Sequence, residues 1–195
     1  HVCCAGSRLF VQENVAEEVI RKLKHRMESL YVGDPLDKNT DIGAINSKEQ
    51  LDTINRYIKI GIEEGAEIHQ SQCAIPSQGF FCRPTLFIGV SQSHTIAQEE
   101  IFGPVIAVYK VKDAQEAIDT ANNSDFGLAG SVWGVDETRT RLVADQIDTG
   151  TIGVNCFGFN TAAPFAGRKN SGMGTELGLE GFLAYAKYKA THYSR

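Results

Sequence analysis

The chain has 195 residues, 42% of them hydrophobic and 22% charged, with 19 glycines and 5 prolines. This is the composition of an ordinary soluble globular protein, large enough to bury a core without disulfides. Its 19 basic and 24 acidic residues leave a net charge of −5, so the basic face of a nucleic-acid binder is not expected, and no apolar run approaches the ~20 residues that span a bilayer.

The run Arg8-Leu9-Phe10-Val11 reads as a strand. Val15, Val19, Leu23, Met27 and Leu30 then recur at helical spacing, with Asn14 as the expected cap. Gly33-Asp34-Pro35 ends that helix. Ser47 and Gln50 read as a capping box for a second helix that buries Leu51, Ile54, Ile58 and Ile62 and closes at Gly65. Pro84–Ile88 and Val105–Tyr109 are β-branched and aromatic runs, expected as strands. Asp113 with Glu116 caps a helix ending near Asn123. Ser131–Trp133 is expected as a strand, Asp136 as the cap of a helix to Ile147, and Thr151–Val154 as another strand. Strands alternating with helices predict an α/β fold, an open and mostly parallel sheet flanked by helices. A short helix around Leu177 to Tyr185 and an exposed strand-like tail, Lys187 to Tyr193, end the chain. An unpaired tail strand is an edge seeking a partner, which points to an oligomer.

The five cysteines, Cys3, Cys4, Cys73, Cys82 and Cys156, are odd in number and irregularly spaced, against a secreted disulfide framework and for a reducing compartment. Without a CxxC pair, and with His1, His25, His69, His94 and His192 scattered, no metal site is expected. The start at His1, with no Met and no leader-like stretch, reads as a cut or a missing beginning. Chemistry is suggested by Cys3-Cys4-Ala5-Gly6-Ser7-Arg8. A thiolate is the reactive form of cysteine, and a place at a helix start would lower its pKa and supply N–H groups for an oxyanion.

Four separated stretches, in order, carry a resemblance. Cys3–Arg8 is similar to the active-site cysteine motif of the NAD(P)-dependent aldehyde dehydrogenases. Gln98-Glu99-Glu100-Ile101-Phe102-Gly103-Pro104-Val105 resembles their Glu-Ile-Phe-Gly-Pro signature, and Asn122-Asn123-Ser124 through Ala129 resembles their Asn-rich helix end. Pro164-Phe165-Ala166-Gly167 with Lys169, Ser171, Gly172, Gly174 and Glu176 is similar to their C-terminal glycine motif. The chain thus resembles the C-terminal, catalytic half of that family.

The resemblance implies that Cys3 is the nucleophile, attacking an aldehyde carbonyl to give a thiohemiacetal and then a thioester for water to hydrolyse. It implies that Glu100 holds the hydroxyls of the nicotinamide ribose, which a carboxylate can accept in pairs, with Phe102 beside it. Gln50 aligns with a further cofactor contact, although a capping role explains it equally well. Cys4, Phe157 and Phe165 would line the aldehyde site, with Phe159 on the same loop. Asn155 reads as scaffold, and Cys73 and Cys82 read as structural.

The cofactor implied is NAD or NADP. Residues 1–175 would form the thiol-bearing catalytic domain and 176–195 the terminal helix and oligomerisation strand of a homodimer or homotetramer. The family's dinucleotide-binding domain precedes the cysteine motif and is absent here, and no glycine-rich strand-to-helix phosphate turn occurs in this chain. The expectation is therefore a catalytic part that is inactive alone, from a cytoplasmic or mitochondrial-matrix enzyme. The other readings are a structural, crystallin-like or pseudoenzyme relative, and a relative that passes the acyl group to coenzyme A.

Overall fold

In the computed structural model, which describes residues 1–158 and 160–194, Arg8–Gln12, with Leu9, Phe10 and Val11 at its centre, forms strand β1. Helix α1 (Glu13–Glu28) follows with no loop, and its N-cap is Gln12, without a side-chain cap bond. Asn14, the expected cap, lies inside the first turn, because the strand passes straight into the helix and leaves it no extended position. Ser47 does cap α2 (Lys48–Glu63), its hydroxyl accepting from the Gln50 N–H at 3.1 Å.

The buried face of α2 is Ile54, Tyr57, Ile58 and Gly61, whereas Ile62, expected inside, is 50% exposed. Gly61 explains the rotation. A Cβ there would meet Phe87 Cζ at 2.8 Å, so the helix approaches the sheet through its glycine and Ile62 turns outward. Gly65 closes α2 as expected, at φ +90° with its N–H on the Ile62 carbonyl at 3.0 Å.

Strands β2 (Glu67–Gln70) and β3 (Thr85–Ile88), the single turn α3 (Thr95–Gln98), strand β4 (Val105–Val111) and helix α4 (Ala114–Asn122) complete the first of two units, His1–Asn123. Neither β2 nor α3 was expected. α3 is too short to be stable alone. It is held by the Glu64 carboxylate, which accepts from the Thr95 N–H at 2.8 Å and its hydroxyl at 2.6 Å. At α4, Asp113 accepts from the Glu116 N–H at 2.9 Å, while Glu116 reaches back to the Lys112 N–H at 2.7 Å.

The sheet order is β1-β4-β3-β2, with β1 and β3 parallel to β4 and β2 antiparallel on the edge. Side-chain alternation divides two cores. Leu86, Ile88 and Val108 meet Ala16, Ile20 and Met27 of α1 on one face. Phe87, Val105, Ala107 and Tyr109 meet Ile54, Tyr57 and Ile58 of α2 on the other. The α/β expectation, with a mostly parallel sheet and helices on both faces, is met.

The second unit begins at Ser124. It holds β5 (Phe126–Gly127), β6 (Ala129–Val132), α5 (Glu137–Ala144), β7 (Thr151–Val154), β8 (Arg168–Lys169) and α6 (Gly178–Leu183). β6 runs parallel to β7, and β5 antiparallel to β8. Asp136 caps α5 as expected, accepting from the Arg139 N–H at 3.0 Å. The helix stops at Ala144 instead of Ile147 because the last residues tighten: the Ile147 N–H bonds the Ala144 carbonyl three residues back. Residues 187–193 form no strand. A strand exists only when paired, and among the described residues the tail pairs with none of the strands of this chain.

Candidate active site

Cys3 lies in a turn closed by the Ala5 N–H on the Val2 carbonyl at 3.0 Å, ahead of β1. It is not at a helix start, which corrects the sequence expectation: the segment after it, Arg8–Gln12, pairs as a strand, so no free helical N–H groups face the thiol from the residues that follow. Cys3 is exposed and Cys4 is buried. Burial, reinforced by the adjacent Cys3, pushes the Cys4 thiol up from its ordinary value. The two neighbours are thus chemically unequal, the accessible thiol being Cys3.

Strand register brings the second motif to the first. Arg8 pairs with Ala107 in the parallel β1–β4 ladder, and the Ala107 N–H bonds the Ser7 carbonyl at 2.9 Å. Cys3 stands five residues before Arg8, and Phe102 five before Ala107, so both motifs lie at the amino ends of neighbouring strands. The His1 ring sits 5.2 Å from the Phe102 ring, and its Nε2 accepts from the Asn46 N–H at 3.3 Å. The cysteine turn, the Glu100–Phe102 loop and the start of α2 therefore form one cluster. Ligand sites in open α/β sheets usually gather at carboxyl ends; here the candidate residues gather at the other end.

Glu100 is exposed in the loop. Phe102 is 37% exposed and holds a left-handed backbone at φ +53°, rare for a residue with a side chain. Gln50 serves the cap through its backbone only. Its side-chain amide donates to the carbonyls of Ile101 at 3.0 Å and Phe102 at 3.1 Å. One turn further along α2, the bare Cα of Gly103 packs on Ile54, where a Cβ would meet Cδ1 at 2.6 Å.

The remaining candidates belong to the second unit. Phe157 is 52% exposed after β7. Phe165 is partly buried and bridges Glu176 through two backbone bonds, at 2.7 and 2.8 Å. Phe159 lies outside the described residues. Asn155, read from sequence as scaffold, does more local work than that. At φ +51° it turns the chain out of β7, and its amide donates to the Gly134 carbonyl at 2.9 Å while its oxygen accepts from the Gly134 N–H at 2.8 Å. This side chain extends the β6–β7 ladder past its last backbone pair and fixes where the Phe157 loop departs. The signal was the residue type, since asparagine tolerates left-handed backbone. Cys82 is buried, and burial pushes its thiol up to about 11. Among the described residues, no group of three metal-ligating side chains gathers, and no helix is long and apolar enough to cross a membrane.

Comparison with known proteins follows the same lines. The profile of the aldehyde dehydrogenase family matches residues 1–191. A curated relative from Staphylococcus haemolyticus, named as an aldehyde dehydrogenase, is 42% identical over 192 residues, covering 97% of this chain and 40% of the relative. The crystal structure of betaine aldehyde dehydrogenase from Staphylococcus aureus in complex with NAD+ superposes with a TM-score of 0.89 at 36% identity, over 94% of this chain and 38% of that one. An aldehyde dehydrogenase from Mycobacterium tuberculosis complexed with NAD+ matches with a TM-score of 0.86 at 40% identity, over 92% of this chain and 38% of its own. The chain spans about two fifths of the length of the curated relatives it matches.

Proposed function

The chain belongs to the aldehyde dehydrogenase family, and from that premise we propose that it is the thiol-bearing catalytic part of an enzyme oxidising an aldehyde to a carboxylate. The observation that carries this reading is the meeting of the Cys3 turn with the Glu100–Phe102 loop through the His1–Phe102 ring contact and the β1–β4 register. Cys3 is the nucleophile: its thiolate adds to the carbonyl carbon, and the resulting thiohemiacetal becomes a thioester that water opens. The dinucleotide, when bound, supplies the hydride acceptor. The residues present suit part of it, since Glu100 is an exposed carboxylate on a loop held at both flanks and can accept two ribose hydroxyls.

The family resemblance assigns an apolar lining for the aldehyde to Phe157 and Phe165, which the second unit carries half-exposed and partly buried. Such a lining favours carbonyl over hydrate by excluding water. Residues upstream of Cys3 in the intact enzyme supply the rest of the dinucleotide site, so the 195-residue chain is inactive alone. In this proposal the tail from Lys187 to Tyr193 pairs with another subunit in a dimer or tetramer, and the enzyme works in a reducing compartment, the cytoplasm or the mitochondrial matrix, a reading supported by five cysteines without regular spacing.

The test is steady-state reduction of NAD+ and NADP+ by the intact enzyme with a panel of aldehydes, with mass spectrometry of the acylated protein. Acyl mass on the peptide holding Cys3, lost in Cys3→Ala, is the expected result. Turnover retained by Cys3→Ala would reject the assignment.

A further inference from the structure

We propose that one face of α2 is the device that positions the Glu100 carboxylate, and that Tyr57 is its latch. The inference rests on the reading of Glu100 as the carboxylate that meets the dinucleotide. Gln50, Ile54 and Tyr57 stand at i, i+4 and i+7, one stripe of the helix. Each engages a different part of the run 99–103. The Tyr57 hydroxyl donates to Glu99 Oε2 at 2.6 Å. Gln50 gathers the Ile101 and Phe102 carbonyls at 3.0 and 3.1 Å, and Ile54 fills the space that a side chain on residue 103 would need. Glu100 lies between the Tyr57 and Gln50 attachments and is exposed, as Glu99 is; what separates the two is that the phenol bond goes to Glu99.

Two adjacent carboxylates could otherwise exchange roles. Tyr57, only 7% exposed, commits Glu99 to a phenol anchored in the core, which leaves Glu100 for an outside donor. The left-handed backbone of Phe102 is a conformation that surrounding structure must impose, and the paired carbonyl contacts of Gln50 impose it. Ordering the loop before the ligand arrives removes that entropy from the binding step.

The experiment uses the intact enzyme and NADH as the probe, with Tyr57→Phe, Glu99→Ala and the double variant. Either single change should weaken NADH binding about tenfold, as loss of one hydrogen bond to a charged group does. The double variant should be no weaker than either single one, because both remove the same bond. The KM for aldehyde should stay within about twofold, since only the dinucleotide contact is disturbed. Amide hydrogen exchange at residues 100–103 without NADH should quicken about tenfold, with residues 54–61 unchanged. Unchanged exchange at 100–103, additive effects, or exchange quickened throughout α2 would each overturn the latch. If the unaltered enzyme binds no NADH, the role of Glu100 falls, and the exchange result alone decides whether α2 holds the loop.

Discussion

Cys3 and Cys82 are the same residue type in opposite environments, and reactivity should separate them. With its thiol pushed up to about 11, Cys82 is roughly one part in a thousand thiolate at pH 8 and is also buried. A pulse of a thiol reagent on the native protein should therefore label Cys3 and spare Cys82, and Cys3→Ala should remove labelling of that peptide while Cys73→Ala leaves it intact. Asn155 offers a second test. Asn155→Ala loses both bonds to Gly134 and keeps an unfavourable left-handed backbone, a cost of about 2 kcal/mol. Urea unfolding followed by the single tryptophan, Trp133, beside Gly134, should show it, and Asn155→Gly should lose less.

Tyr57 carries a pH signature. Its bond to Glu99, with burial and the Glu99 charge, raises its pKa above the ordinary 10.0 in the folded chain. The stability from this shift is complete below the unfolded value of about 10 and is lost as pH rises through the higher folded value. Between pH 9 and 11.5 the urea midpoint of the unaltered chain should fall more steeply than that of Tyr57→Phe. Parallel slopes would assign the fall to other groups.

Local chemistry and tertiary contact share the work within each element. Among the described residues, three helices begin on a side-chain cap, at Ser47, Asp113 and Asp136, and Ser47→Ala should cost about 1 kcal/mol, read as a lower urea midpoint. Because Ser47 caps the first turn of α2 through the N–H of Gln50 itself, that loss should also loosen the hold on Ile101 and Phe102. Elements without such local signals answer to distant residues. The turn α3 depends on Glu64 from the preceding helix, and β2 depends on the antiparallel edge of β3. Their residue types carry no pattern that would announce them, since a four-residue strand or a single helical turn has too short a period to read.

Across the whole chain, the two units hold different parts of the proposed chemistry: Cys3, Gln50, Glu100 and Phe102 in the first, Phe157 and Phe165 in the second. The tail tests the proposed assembly. Residues 187–194 are exposed and form no strand here, although Tyr188 and Tyr193 are 93% and 88% exposed aromatics that a pairing partner would cover. Deleting residues 186–195 from the intact enzyme should lower its native mass in light scattering, and an unchanged oligomer would remove the tail from the interface.

Features that act at short range or within one motif could be read from the chain without its fold. They are the main strands and helices, the caps at Ser47, Asp113 and Asp136, the glycine stop at Gly65, and the family, through four ordered motifs. Each of these depends on residues a few positions apart or on residue identity alone. The remaining features follow from contacts made only in the folded chain. The parallel register of β1 on β4 brought the segment before β1 to the segment before β4, where His1 meets Phe102, the close approach of Gly61 to Phe87 turned Ile62 outward, and packing of α2 committed Gln50 and Tyr57 to the Glu100 loop. Such outcomes depend on which surfaces meet after strands pair and glycines allow contact, and residues tens of positions apart in the chain leave no spacing from which that meeting could be read.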